Sequence, residues 1–326
     1  MLSAEQRAAI FESVVSNGPA AGCRAIDVRV LDGIDVRLLP DRGCDIGAAW
    51  TRGIPLGWIS AVGETAPRPG DWDGAWGGGL LTTCGRRNVG AASEGHGQHG
   101  DATHQRATIT SVRRCEVDGE LAVVVEATMR ETAALGACLE TRRTITTWAG
   151  AARVLVADRT TNRGTEPEPA PVLYHVNLGA PLWAPGATLA FSDHRAVRPR
   201  DAAAAAAAPA WDRAPASDET PERVFEHELA PGAEGVARVE QPALGLVVEV
   251  RWDRAALPRV HQWLHTAHGA YVLGIEPANC SVLGRAADRA AGALAVLEPG
   301  EERETWVEVT AYAEAGGSTS NSTSSA

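Results

Sequence analysis

Lysine is missing from this chain of 326 residues, and all 30 basic residues are arginine. Without lysine, the chain can form neither a Schiff base with a carbonyl substrate nor the lysine contact of a phosphate-binding P-loop. The arginines do not gather into a basic patch, and the net charge is −11. An acidic chain of this kind is poorly suited to a phosphate backbone, so we expect no nucleic-acid partner.

Cysteine pairs and long apolar runs are also missing. None of the six cysteines forms a Cys-x-x-Cys pair, and their irregular spacing argues against a zinc cluster or a disulfide scaffold. No apolar run is long enough to cross a membrane. The first residues, MLSAEQRAAIFESV, lack the basic and apolar regions of a signal peptide. We therefore expect a cytoplasmic protein without a membrane partner.

The chain does contain many short runs in which apolar and polar residues alternate, and 44% of its residues are hydrophobic. Three pairs of runs flank turn dipeptides at Asp32-Gly33, Asp118-Gly119 and Ala149-Gly150, a pattern that predicts hairpins. Regular short strands indicate an all-β fold, a sandwich or a barrel, which can form a single domain at this length. Further strands are predicted at residues 172–177, 245–252, 261–264, 271–276 and 304–313.

Helical signals are confined to two places outside these runs. Ser3 is a suitable N-cap for a helix over residues 4–15, within an N-terminal helical segment that spans residues 1–20. The alanine run at 202–208 is long enough for two helical turns, although a surface insertion is the preferred interpretation. We expect one β domain over residues 21–315 and a disordered tail over residues 316–326, GGSTSNSTSSA.

Residues 70–100 form a long glycine-rich stretch that contains Trp72 and Trp76. Glycine lets a backbone approach a ligand closely, and a tryptophan can stack on the face of a sugar ring. Long loops in compact domains are commonly functional. A plain connection with buried tryptophans is an equally good interpretation.

Three segments carry residue types suited to acid–base chemistry. His99 ends the glycine-rich stretch, His175 lies in the run Leu-Tyr-His-Val-Asn-Leu-Gly, and Glu276 ends a predicted strand directly before Pro277. A histidine held on a strand and a carboxylate at a strand end can give and take protons. Each also has a structural alternative: an interior histidine bonded to a carbonyl, a surface glutamate, or a solvated loop histidine.

Taken in order, these segments resemble the galactose mutarotase-like superfamily, which includes the aldose 1-epimerases. Further motifs are similar to its DUF4432 group: PDRGCDIG at 40–47, GGLLTTCG at 78–85 and LEPGE at 297–301. The resemblance extends from about residue 26 to residue 309. It implies a mutarotase-like β-supersandwich that binds a sugar on the concave face of a sheet.

The resemblance also implies an activity, the interconversion of sugar anomers by an isomerase. Glu276 would take the proton of the anomeric hydroxyl while His175 protonates the ring oxygen. His99 would hold sugar hydroxyls or help polarise the ring oxygen. Ring opening and closure need one group to lose a proton while another gains one. A glutamate and a histidine need only modest pKa shifts to form such a pair near neutral pH, and no cofactor is required.

Other residues are candidates for contacts with the sugar: Arg42, Arg86, Trp76, His104 and Asn177. Arginine can hydrogen-bond hydroxyls without titrating. The expected partner is a small sugar or sugar derivative, and the expected assembly is a monomer or a homodimer.

Two other function classes remain open. A sugar isomerase, epimerase or lyase on the same scaffold could use a metal held by His96, His99 and His104, whose His-x-x-His spacing suits a transition ion. The third alternative is a sugar-binding protein without catalysis, because a fold does not by itself determine a function.

Overall fold

The computed structural model describes residues 2–216, 222–266 and 270–313, and β-strands predominate in it. The predicted disordered tail lies outside the described residues. The helices are α1 Ala4–Arg7, α2 Trp72–Ala75, α3 Ala202–Ala207 and α4 Arg285–Ala290. The strands are β1 Ala8–Val14, β2 Arg24–Val30, β3 Ile34–Leu39, β4 Asp45–Thr51, β5 Ile54–Pro55, β6 Trp58–Ile59, β7 Gly78–Gly79, β8 Leu81–Gly85, β9 Thr108–Val117, β10 Glu120–Thr132, β11 Cys138–Trp148, β12 Arg153–Asn162, β13 Glu168–Pro169, β14 Val172–Gly179, β15 Thr188–Phe191, β16 His194–Pro199, β17 Arg223–Leu229, β18 Glu234–Gln241, β19 Leu246–Asp253, β20 Arg259–His265, β21 Val272–Ala278, β22 Val296–Leu297 and β23 Glu302–Ala313.

Two large antiparallel sheets enclose the main hydrophobic core. The first has eleven strands in the order β1-β2-β3-β4-β8-β14-β21-β20-β17-β16, with β5 paired to β4. The second has eight strands in the order β15-β18-β19-β23-β12-β11-β10-β9. Apolar side chains from both sheets, such as Val176 and Val250, belong to one buried cluster. The all-β sandwich expected from the alternating pattern is therefore confirmed.

The predicted hairpins are confirmed. β2 and β3 flank Asp32-Gly33, β9 and β10 flank Asp118-Gly119, and β11 and β12 flank the third turn. The aspartates at 32 and 118 adopt positive φ angles of 52° and 55°, a backbone region that Asp and Gly tolerate in tight turns. The five further predicted strands correspond to β14, β19, β20, β21 and β23.

The predicted N-terminal helix is wrong beyond its first turn. Ser3 caps α1 as expected and forms a capping box with Gln6, but the helix ends at Arg7. Residues 8–14 form β1, which pairs with β2 along its whole length. An isolated helix of this length is marginal, and pairing with a sheet outweighs its weak propensity. Among the described residues, no helix is long and apolar enough to span a membrane.

Strand register at the centre of the eleven-stranded sheet brings polar side chains into one row. His175 on β14 pairs with Thr82 on β8, and Glu276 on β21 pairs with His261 on β20. Because side chains alternate along a strand, the neighbours of His175 point the other way, into the core between the sheets. The polar row therefore lies on the face of the sheet that is turned away from the second sheet.

A buried network of charged groups joins the two sheets behind this row. Arg143 binds Asp45 at 2.7 Å and Asp158 at 2.8 Å, and Arg86 binds Asp158 at 2.8 Å. The hydroxyl of Tyr174 donates to Asp158 at 2.6 Å. Although burial alone would raise the pKa of Asp158, the two guanidinium groups lower it to about 2. The ionised groups of this network therefore hold β14 and β8 in place from the side that faces the second sheet.

Candidate active site

A cavity of about 750 Å³ opens over the polar row of the large sheet. Its floor comes from the central strands, and its walls come from the glycine-rich stretch and from segments around β6, β17 and β20. The side chains that matter for its chemistry are Trp58, Trp72, Trp76, His99, His175, Arg200, Glu222, Trp263, His265 and Glu276. A concave site of this size that combines aromatic faces with convergent polar groups is typical of small-molecule binding.

His175 and Glu276 form a pair on the floor of the cavity. The Nε2 atom of His175 lies 3.1 Å from Oε1 of Glu276, and both side chains are buried. Gly274, two residues before Glu276 on the same face, leaves room for this contact. A Cβ atom at that position would lie 2.8 Å from Cε1 of His175 and 3.0 Å from Oε1 of Glu276.

The cavity floor shifts the two titrating groups in opposite directions. Burial raises the pKa of Glu276 to about 8, and the negative charge of Glu222 across the cavity adds to the rise. Burial lowers the pKa of His175 to about 3, with a further contribution from His99. Near pH 7 these two shifts favour a protonated carboxyl and a neutral imidazole in the contact. The expectation that only modest pKa shifts are needed is wrong, because neither charge is solvated.

His99 is half-buried in the cavity wall and presents one ring nitrogen to the cavity. Its Nδ1 atom accepts a hydrogen bond from the backbone N–H of Gly90 at 3.4 Å. Burial lowers the pKa of His99 to about 4, so the ring is neutral near pH 7. A neutral ring that accepts at Nδ1 carries its proton on Nε2. His99 is thus assigned as a hydrogen-bond donor toward the cavity.

Tryptophan rings surround the histidine on the floor. Ring centroids of Trp76 and Trp263 lie 5.1 Å and 5.5 Å from that of His175. Trp58 lies 5.3 Å from Trp76, and Trp72 stacks on Trp76 at 5.0 Å. The structure therefore places Trp72 and Trp76 of the glycine-rich stretch in the cavity wall. Such rings offer flat faces to the C–H side of a sugar.

Several residues of the cavity were not among the sequence candidates. His261, Trp263 and His265 are spaced two residues apart along β20. Residues at this spacing share one face of a strand, and the pattern could have indicated that Trp263 lies on the face of the site. Nε1 of Trp263 donates to Glu222 at 2.8 Å, and Glu222 also binds Arg200 at 3.2 Å. No local pattern marks Glu222 or Arg200, because only the fold brings them to the rim.

Two arginines predicted to contact the sugar lie elsewhere, and both assignments are corrected. Arg86 belongs to the buried network, where its Nε donates to Thr141 and its Nη2 binds Asp158. Arg42 is buried and donates to the hydroxyl of Thr65 at 3.0 Å. Neither guanidinium lines the cavity. Buried guanidinium groups take up neighbouring acceptors because an unpaired buried charge is costly.

His104 and Asn177 also differ from their predicted roles as sugar contacts. His104 is buried, and its Nδ1 accepts from the backbone N–H of Arg68 at 3.3 Å. Asn177 is fully buried beside His175 and donates to the carbonyls of Gly79 and His175, both at 3.0 Å. Asn177 therefore fixes the local backbone rather than lining the cavity.

The structure also separates the histidines of the proposed metal site. His99 faces the cavity, whereas His104 bonds the backbone of Arg68, and His96 lies in a turn near the surface. Within residues 2–216, 222–266 and 270–313, no three His, Cys, Asp or Glu side chains form a group that could hold a metal ion. The prediction that His96, His99 and His104 form one metal site is therefore wrong, because the loop directs the three side chains into different surroundings.

Known structures share this arrangement of sheets, which is the galactose mutarotase-like β-sandwich. A "putative aldose 1-epimerase" from Klebsiella pneumoniae subsp. pneumoniae superposes with a TM-score of 0.85 at 21% identity, over 94% of this chain and 84% of that one. A galactose mutarotase-like protein from Clostridium acetobutylicum superposes with a TM-score of 0.64 at 12% identity, over 93% and 98%. At such identities the likeness establishes the fold.

The family is established by the sequence itself. The model of a family described as "Domain of unknown function (DUF4432)" matches residues 20–311. This chain belongs to that family. No curated protein matches it significantly.

Proposed function

We propose that this protein is an aldose 1-epimerase-like isomerase that interconverts the anomers of a sugar by acid–base ring opening. The observation that carries the proposal is the buried pair of His175 and Glu276, 3.1 Å apart on the floor of a cavity. The anomeric hydroxyl and the ring oxygen of an aldose are attached to the same carbon atom. Two adjacent proton-transfer groups can therefore reach both oxygens at once.

Near neutral pH the pair holds one transferable proton, which is the number the reaction needs. The raised pKa of Glu276 and the lowered pKa of His175 support assigning that proton to Glu276, with His175 neutral. In this state Glu276 would protonate the ring oxygen while His175 accepts the proton of the anomeric hydroxyl. After rotation about C1–C2, ring closure returns both protons. This assignment exchanges the two roles that the family resemblance implies.

The rest of the cavity supports sugar binding. Trp76 and Trp263 flank His175 and limit the access of water to the reacting atoms. His99 offers its Nε2–H to a hydroxyl, and Glu222 at the rim can accept from another. The Klebsiella and Clostridium relatives carry names from mutarotase chemistry, which is consistent with such a ligand.

The test is polarimetry, together with NMR exchange, on freshly dissolved single anomers of hexoses, pentoses, deoxy sugars and uronates. We expect acceleration by the wild type, its loss in Glu276→Gln and His175→Asn, and its retention in the surface control Glu304→Gln. Acceleration that persists in both cavity variants would contradict the assignment. Sugar binding without turnover in the wild type would instead identify a sugar-binding protein.

The pH dependence distinguishes this proton arrangement from its reverse. Glu276 loses its proton as pH rises through about 8, so the rate should fall above that pH. A rate that falls already above about pH 6.5, where an ordinary histidine loses its proton, would identify a charged His175 as the acid.

A further inference from the structure

The two large sheets have four terminal strands, namely β1 and β16 in one and β15 and β9 in the other. A terminal strand exposes unpaired N–H and C=O groups that can pair with another chain, and most proteins obstruct such edges. Three of the four edges carry a proline, an irregular register, a short strand or a pair of charges, whereas β1 carries only one charged side chain.

The obstructions differ from edge to edge. β16 ends in Pro199, has an irregular register after His194 and contacts α3. β15 is only four residues long, and Thr188 in it forms a bridge to Arg213. β9 carries the charged pair Arg113-Arg114. Charges, bulges, proline and short length are the recognised means of blocking an edge.

β1 has seven residues in unbroken register with β2, no proline, and a single charged residue, Glu12. From Phe11 to Val14 every residue is exposed, so this half of the strand is open on both faces. Phe11 is 57% exposed and Val14 is 62% exposed. Four of the eight exposed large apolar side chains of the described residues lie on or beside α1 and β1, namely Leu2, Phe11, Val14 and Leu31. Leu31 belongs to the turn after β2, and its N–H donates to the carbonyl of Arg7.

Hydrogen bonds at the two ends of β1 show which residues face β2. The carbonyl of Arg7 accepts from Leu31, and the N–H of Val15 donates to Cys23. In an antiparallel ladder, alternate residues bond the same neighbour. Odd-numbered residues therefore bond β2, and even-numbered residues direct their backbone groups outward.

The outward groups at the N-terminal end are already used. The carbonyl of Ala8 accepts from the side chain of Arg114, and its N–H donates to Ala4. In the part of the chain that the structure describes, no strand lies beside the outward groups of Ile10, Glu12 and Val14 in the sheet order. A partner strand can therefore pair with β1 from Ile10 onward.

We propose that the protein forms a two-fold dimer in which β1 pairs antiparallel with β1 of a second copy, centred on Phe11. In this register Phe11 faces Phe11 of the partner at a position without backbone bonds, where side chains approach most closely. Ile10 faces Glu12 of the other copy, and each such pair exchanges two backbone bonds. Centring on Glu12 would instead oppose two like charges. The same patch is used by both copies, as two-fold symmetry requires.

The first test is sedimentation velocity of the full chain from micromolar to millimolar concentration. A ladder this short buries little area, so we expect a concentration-dependent dimer rather than a permanent one. Phe11→Glu and Glu12→Pro should remain monomeric over the whole range. The proline removes only an outward N–H and leaves the ladder with β2 intact. Leu135→Glu, at a fully exposed leucine elsewhere, is the control and should still dimerise.

The second test determines the register. Under mild oxidation, Phe11→Cys should yield a covalent dimer, because the two introduced thiols face each other. Ser13→Cys on the same edge should not, since Ser13 faces Ala9 of the partner. Both are compared with the wild type, in which Cys115 and Cys138 are partly exposed. A monomer at every concentration, or equal cross-linking of the two variants, would overturn the proposal.

Discussion

Replacing Glu276 with glutamine is expected to raise the free energy of unfolding in alkaline solution. Glu276 is buried beside His175, and burial raises its pKa from 4.5 to about 8. Glutamine has nearly the same shape, carries no ionisable group and can still donate a hydrogen bond to the imidazole. The substitution therefore removes the cost of the charge while it leaves the packing of the cavity floor almost unchanged.

The sign and size of the effect follow from proton linkage. Between about pH 4.5 and pH 8 the folded carboxyl keeps a proton that the unfolded one has lost, so wild-type stability falls as pH rises through this window. One pKa unit corresponds to about 1.36 kcal/mol. The raised pKa of Glu276 therefore lowers the unfolding free energy of the wild type by at most about 5 kcal/mol at pH 8 and above. After allowance for an altered hydrogen bond of about 1 kcal/mol, we expect a net gain of a few kcal/mol.

The assay is denaturant unfolding of both proteins at about pH 5 and about pH 9. The gain should be near zero in acid and should reach a few kcal/mol in alkali, whereas the surface control Glu304→Gln should show no such trend. Equal stability of Glu276→Gln and wild type at both pH values would refute the argument that an unsolvated carboxyl lies on the cavity floor. A gain in stability with a loss of activity is the usual pattern for functional groups held in unfavourable surroundings.

Three further substitutions test the packing around the site. Gly274→Ala should lower the unfolding free energy by about 1–3 kcal/mol and the rate of anomer interconversion at least about tenfold, because the added methyl group would contact His175 and Glu276. Unchanged kinetics would contradict this. Tyr174→Phe should lower the unfolding free energy by about 1–3 kcal/mol, since it removes a bond to Asp158; equal denaturation midpoints would argue otherwise. Arg143→Met should lower the unfolding free energy by about 3–5 kcal/mol, because buried Asp45 loses its ion pair and Asp158 keeps only its ion pair with Arg86; calorimetry showing a neutral or stabilising effect would exclude that cost.

The alternating pattern predicted much of the sheet structure, because hydrophobic period and turn residues act locally. Hairpins at Asp32-Gly33 and Asp118-Gly119 could be predicted from a few neighbouring residues. The helix predicted over residues 4–15 is wrong beyond Arg7, because residues 8–14 complete a sheet whose other strands lie later in the chain. Local propensity could not reveal that competition.

In the candidate site, too, neighbouring residues in the sequence suggested some candidates, whereas contacts between distant strands determined which of them meet. His175 and Glu276 were singled out from the residues around them, and register across β14 and β21 brings them into contact. Arg86 looked like a sugar ligand because an arginine on a glycine-rich loop has no local sign of burial. Whether it meets a ligand or Asp158 depends on a strand more than seventy residues away.

The sequence by itself determined the three hairpins, several further strands and the residue types available for acid–base chemistry, since these depend on neighbouring residues and on composition. Tertiary structure decided which side chains share the cavity, as Trp263 and Glu222 show. It also lowers the pKa of His175 and raises that of Glu276, because desolvation depends on everything packed around a group rather than on its neighbours along the chain.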